Sequence, residues 1–268
     1  MSGAVASLGM YDHPAQRPAN EALWRAIAGK LYARGIDAPA ALDHRDVKAA
    51  WRDPGLLLAQ CCGYPLVADP DLDLRVVAVP SYAVADCAPG RHRSRVVVRA
   101  DEPATALAHL RGRKVAVNAP LSNTGANLLR AAVAPIAGGE RFFAGVQLTG
   151  SHRASLEAVR TGAADVAAID AVTYAAIERF EPEAIAGLRQ LAVTRSVPAL
   201  PFVTARSTPA ATVAALREAL VAAARDPALA AVREALFLGD IVPVGGHRYA
   251  AIRTIEREAA ALGYPILH

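Results

Sequence analysis

The stretch from Leu148 to Asp170 constrains the fold of this chain most. It begins Leu148-Thr149-Gly150-Ser151-His152-Arg153-Ala154-Ser155-Leu156-Glu157-Ala158-Val159 and continues through Thr161-Gly162 to Val166-Ala167-Ala168-Ile169-Asp170. The first run reads as a strand end, a polar turn, and a helix with apolar residues at helical spacing. The second reads as a buried strand that closes on a carboxylate. A polar loop between a strand's C-terminal end and a helix start is where open α/β sheets hold ligands. The partial positive charge of a helix N-terminus favours anions there.

The same alternation runs along the chain. Helical spacing covers 20–33, 126–136, 209–224 and 249–262, with shorter helices at 46–51, 105–110, 151–160, 172–180 and 228–236. Buried-strand patterns lie at 4–9, 55–60, 74–79, 96–98, 114–117, 142–148, 166–169, 188–193 and 202–204. Strands alternating with helices imply an α/β fold with a mostly parallel sheet. Two loop-rich connections, near 80–95 and 194–200, split the chain into an outer pair of segments and a middle one. The expectation is a discontinuous lobe 1 (1–95 and 196–268), an inserted lobe 2 (96–195), and a ligand cleft between lobes.

With 53% hydrophobic residues in 268, the chain can bury a real core. Its net charge is +4, and its densest basic stretch is only Arg91-His92-Arg93-Ser94-Arg95. That run reads as a solvated loop and not as a nucleic-acid arm. No apolar stretch approaches the ~20 residues that span a bilayer. Met1-Ser2-Gly3 carries no basic n-region, so the chain as written reads as cytoplasmic, or as periplasmic if an upstream leader was removed. The three cysteines, Cys61, Cys62 and Cys87, have no metal-ligand spacing. Idle thiols and a bridge from Cys61 or Cys62 to Cys87 both remain open.

Polar loops after expected strands supply the candidate site residues. They are Tyr11 with Asp12 and His13, the run from Gln60 to Tyr64, Ser122-Asn123-Thr124-Gly125, and Gly150-Ser151-His152; Asp170 closes a further strand. Ser122-Asn123-Thr124-Gly125 suits an oxyanion, since hydroxyls and backbone N–H groups meet its lone pairs and glycine permits close approach. Ser122 or Asn123 could equally cap the following helix. His152 opens a helix, a position that favours the neutral imidazole. Asp170 could cap a helix or meet a ligand's cationic group. No G-x-S-x-G elbow, H-E-x-x-H, P-loop or G-x-G-x-x-G occurs. No catalytic residue, metal site or cofactor is expected.

From Met10-Tyr11 to about Val203 the order of segments resembles the substrate-binding proteins of phosphate, phosphite and phosphonate ABC transporters, the phosphonate-binding group of type II periplasmic binding proteins. Four stretches carry the resemblance: 95–101, 110–117, Ser122-Asn123-Thr124-Gly125, and Gly150-Ser151-His152 with 164–170. It implies a two-lobe fold in which each lobe is a mixed, mostly parallel sheet flanked by helices. By that resemblance Ser122, Asn123 and Thr124 cradle the anion, His152 donates to it, Tyr64 (or, as a weaker match, Tyr11) closes over it, and Asp170 is the nearest match to an amine-binding acid. Asn123 stands where the family usually has a hydroxyl, and the loop from Gln60 to Pro65 is unlike that of typical phosphonate binders. The implied function is capture of a small oxyanion, as a monomer, for an ABC permease, with no nucleic acid and no direct membrane insertion. The alternative is a cytoplasmic enzyme on the same fold, resembling enzymes of the menaquinone futalosine route or of thiamine pyrimidine synthesis, with His152 and Asp170 as its candidate pair.

Overall fold

The computed structural model describes residues 3–268; Met1 and Ser2 lie outside the described residues. In chain order the first passage holds β1 (Val5–Ser7), α1 (Arg17–Tyr32), α2 (Val47–Trp51), β2 (Leu56–Gln60), α3 (Gly63–Ala68), β3 (Leu74–Tyr82) and the short β4 (Arg91–His92). The second holds β5 (Ser94–Arg99), β6 (Lys114–Val117), α4 (Leu128–Ala137), β7 (Gly145–Leu148), α5 (His152–Arg160), β8 (Val166–Asp170), α6 (Ala171–Phe180), β9 (Leu188–Val193) and the short β10 (Val197–Pro198). The chain ends with β11 (Phe202–Ala205), α7 (Ala210–Arg225), α8 (Ala230–Ala235), β12 (Leu238–Pro243) and α9 (Ala250–Ala261).

Two compact units result. Unit 1 runs to Arg91 and resumes over Pro198–Tyr249; unit 2 is His92–Val197 with Ala250–His268. The sheet of unit 1 has the order β1-β2-β11-β3-β12. Its β1 and β2 pair in parallel, while β11 runs antiparallel to β2 and β3, and β12 antiparallel to β3. The sheet of unit 2 has the order β7-β6-β8-β5-β9. There β6 pairs in parallel with β7 and β8, and β5 pairs antiparallel with β8 and β9. Both sheets are mixed, with more antiparallel pairing than strand–helix alternation alone suggests.

Position in the sheet explains the strand sequences. Val96, Val97 and Val98 on β5, and all five residues of β8, are buried, as continuous apolar runs in central strands should be. β7 is an edge strand, and its Leu148 is 61% exposed. The strand expected over 142–148 starts only at Gly145. Phe142 and Phe143 are instead held by their backbone N–H groups, both of which donate to the His268 carbonyl at 3.0 Å. Their rings meet edge to face at 4.9 Å inside the core. The short β4 and β10 form in the two expected connections, and two longer elements also differ from expectation. The loop expected after Gln60 contains α3, and β12 forms where no strand was expected.

The last helix also corrects the expected boundary of lobe 1, which ran to 268. Ile255, Ala259 and Tyr264 are buried in the same core as Leu128, Leu129 and Val133 of α4. Arg130 Nη1 donates to the Pro265 carbonyl at 2.7 Å, and Asn127 Nδ2 to the Ile252 carbonyl at 3.5 Å. The apolar face of α4 therefore draws the chain's end into unit 2. None of the three cysteines is in a disulfide, and Cys61 and Cys62 are buried. Burial pushes the Cys61 thiol well above its ordinary value, so it stays protonated and unreactive. Ile255→Ala is expected to destabilise unit 2 by about 2–5 kcal/mol, the usual cost of a truncated core aliphatic, read as a lower urea midpoint; an unchanged midpoint would put α9 outside that core.

Candidate functional site

Strand direction assembles the site within unit 2. Because β6, β7 and β8 are parallel, their C-terminal ends share one edge of the sheet. Each is followed there by a helix start: α4 after β6, α5 after β7 and α6 after β8. Three N-terminal dipole ends thus lie along one edge. β5 is antiparallel to β8, with Ser94 opposite Asp170, so the start of β5 lies on that edge too. This brings His92 to Asp170 across 78 positions of sequence, Nδ1 to Oδ2 2.8 Å.

The loop after β6 is shaped by a single π-helical turn, Asn123–Asn127. Such wide turns are rare and recur at functional sites. Ser122 caps it, its Oγ accepting from the Gly125 N–H at 3.0 Å. Asn123 is fully buried, and its Oδ1 accepts from Asn127 Nδ2 at 3.1 Å. Its amide therefore fastens the turn to itself. The Thr124 carbonyl accepts from Ser94 Oγ at 2.7 Å, and the Thr124 hydroxyl lies 3.2 Å from His152 Nε2. A Cβ on Gly125 would lie 1.8 Å from Asn118 Oδ1, so the backbone passes closer than any side chain allows. Asn118 Oδ1 is itself buried without a hydrogen-bond partner among the described residues.

His152 is the first residue of α5, after Ser151, whose Oγ caps the helix by accepting from the Ala154 N–H at 3.1 Å. Burial, the largest influence, and the nearby His92 push its imidazole below the ordinary value of 6.5, against the opposing pull of Asp170 and the Ala168 carbonyl. His152 is therefore neutral at pH 7, and its buried Nδ1 has no well-formed hydrogen bond among the described residues. Asp170 is almost wholly buried. Burial raises its carboxyl, but the hydrogen bond and charge of His92, the charge of His152 and the Thr173 N–H outweigh this and hold it below its ordinary value. Its Oδ1 accepts from the Val172 and Thr173 N–H groups at 2.9 and 3.1 Å, and its Oδ2 faces His92. Of the two roles open to Asp170, the structure shows the helix cap, with Oδ1 turned to α6 and Oδ2 to His92.

The remaining expected residues sit in unit 1. Tyr11 meets Tyr82 edge to face at 5.2 Å, and Gln60 Nε2 donates to the Tyr82 hydroxyl at 2.7 Å. The Gln60 carbonyl accepts from Trp51 Nε1 at 2.8 Å. Tyr11, Gln60 and Tyr82 line a cavity of about 20 Å³, room for about one water. Tyr64 is buried in the first turn of α3. Sequence reasoning missed His92, Ser94, Asn118 and Tyr82. The run from Arg91 to Arg95 was expected to be a solvated loop, yet His92 and Ser94 are buried. A serine and a histidine flanked by arginines and followed by three valines was the available signal: it marks a strand that enters the core.

Residues 57–249 match the family described as the phosphonate ABC transporter, periplasmic substrate-binding protein. The chain belongs to that family. Its members are periplasmic transport proteins, not enzymes, which sets aside the enzymatic alternative. Among solved structures, the chain is similar in fold to PhnD1 from Prochlorococcus marinus in complex with methylphosphonate (13% identity, 96% of this chain and 98% of that one covered, TM-score 0.75). It is also similar to a binding protein component of an ABC phosphonate transporter from Pseudomonas aeruginosa (15% identity, 98% and 88% covered, TM-score 0.75). A third, from Xanthomonas citri and bound to ATP, shares 17% identity over 97% and 98% of the two chains, with a TM-score of 0.72. A comparison with the curated proteins found no match. All this fixes a type II periplasmic-binding-protein fold and a solute-binding role. Among the described residues no helix is long and apolar enough to cross a membrane, and no group of three acidic, histidine or cysteine side chains suits a metal.

Two outcomes test this geometry. Gly125→Ala forces a Cβ against Asn118 and is expected to cost about 1–3 kcal/mol, the range for overpacking. Adding Asn118→Ala is expected to restore most of that loss in urea unfolding; no rescue would separate the two residues. The lowered pKa of His152 gives a signed pH effect. The unfolded chain protonates it more readily, so its contribution is intact above about pH 6.5 and lost as the pH falls through the folded-state value. The thermal midpoint should fall along that limb, and His152→Asn should flatten the fall; superimposable profiles would contradict a neutral, partly buried imidazole.

Proposed function

We propose that the edge of unit 2 built by Ser122, Thr124 and His152 binds a small phosphorus oxyanion, namely phosphate, phosphite or a phosphonate without a cationic amino group. The carrying observation is the Thr124–His152 pair, a hydroxyl and a neutral imidazole 3.2 Å apart beside the starts of α4 and α5. Oriented N–H dipoles and neutral donors stabilise an anion without a full positive charge, and so without a tight ion pair that would slow release. The family membership and a neighbour in complex with methylphosphonate support the phosphoryl class. The commitment of Asp170 to His92 and to α6 argues against an amine-bearing ligand. The protein would work as an exported monomer that hands its ligand to an ABC permease.

Calorimetric titration with phosphate, phosphite, methylphosphonate, 2-aminoethylphosphonate and sulfate tests this. At least one of the first three should bind at one site per chain. His152→Ala and Thr124→Val should each weaken it by about 1–3 kcal/mol, the cost of losing a hydrogen bond to a charged group. The amino compound should bind no tighter than methylphosphonate. Binding that ignores both substitutions, or a clear preference for the amino compound, would contradict the assignment.

A further inference from the structure

Unit 1 carries a second concave surface that the phosphonate reading leaves unused. It is a cleft of about 440 Å³ whose walls include Arg75, Arg206, Arg217, His247, Leu66 and Val67. Clefts of about 300–1,000 Å³ are the size that takes small molecules.

Its arginines are fixed in place and incompletely neutralised. Arg75, on β3, donates through Nη2 to the Arg206 carbonyl at 3.0 Å and through Nη1 to the Thr208 carbonyl at 3.3 Å. Arg217, on α7, donates through Nε to the Val77 carbonyl at 3.0 Å, which leaves both its terminal nitrogens without a protein partner among the described residues. Carbonyl oxygens position a guanidinium without cancelling its charge. Among the described residues only Arg206 of the three has a carboxylate, Asp73 at 3.0 Å, and that pair is exposed on both sides. Three guanidiniums against one carboxylate leave the cleft with a surplus of two positive charges before any protonation of His247. Each of these arginines keeps donors in a planar fork suited to carboxylate or phosphate oxygens. Leu66 and Val67 add an apolar wall that a carbon skeleton can cover.

We infer that this cleft is a second anion site, selective for a compact polyvalent oxyanion such as a diphosphate or a di- or tricarboxylate. A monovalent or divalent phosphonate would satisfy the edge of unit 2; two fixed guanidiniums and a third at the rim call for charge spread over two or more groups.

The test is calorimetric titration at low ionic strength with pyrophosphate and with citrate, on protein already saturated with methylphosphonate. One or both probes should bind once per chain, and which of them binds tells the phosphoryl from the carboxylate class. Arg75→Gln and Arg206→Gln should each weaken that binding at least tenfold, while leaving methylphosphonate affinity unchanged. Arg206 is exposed, so its variant reads the site even where Arg75→Gln fails to fold. His152→Ala should leave the pyrophosphate and citrate affinities unchanged. The inference is overturned if neither probe binds, if binding survives both arginine substitutions, or if binding is lost with His152→Ala. Loss of methylphosphonate binding alone would count against the proposed function and not against this cleft.

Discussion

The antiparallel pairing of β5 with β8 is the constraint on which the site depends. It sets Ser94 opposite Asp170, and so delivers His92 to a carboxylate that would otherwise be buried with only helix N–H groups for company. A buried carboxylate needs compensation of this kind, since removing one partner of such a pair leaves an uncompensated charge at a cost of several kcal/mol. Ser94, two residues on from His92 at the start of β5, holds the Thr124 carbonyl. The segment that stabilises the acid therefore also positions the hydroxyl beside His152.

That arrangement gives Asp170 and His152 different work. Asp170 is held ionised by His92 and caps α6. His152 is neutral because of its burial, and its place at a helix start disfavours the imidazolium further. A protonated imidazole there would bind an oxyanion more tightly but would tie affinity to small changes in pH. In the proposed site, neutral donors and helix dipoles would keep oxyanion binding reversible, as a protein that must release its solute requires.

Much of this was legible in the sequence, for physical reasons. Strands β6 and β8 of unit 2 are largely buried, so their apolar runs stand out, and the helices after β6, β7 and β8 begin with recognisable caps at Ser122, Ser151 and Asp170. These local signals place the loops at one edge without knowledge of the topology. His92 was hidden because its partner lies 78 positions away and only the strand register joins them. The role of Asp170 could not be chosen from sequence, since a cap and a ligand contact demand the same residue. Asn118 was hidden by the wide turn, which brings Gly125 against it in a way that ordinary helical spacing does not suggest. The assignment of α9 to unit 2 rests on Ile255, Ala259 and Tyr264, whose periodicity says that they are buried but not against what.

The most direct test of the account is the imidazole ¹⁵N spectrum of His152 at pH 7, recorded with and without methylphosphonate. The account requires a neutral ring in the free protein and a clear shift of its nitrogen resonances on saturation, absent in a Thr124→Val, His152→Ala background that identifies the peaks. A doubly protonated ring in the free protein, or resonances that stay in place at saturating methylphosphonate, would contradict it.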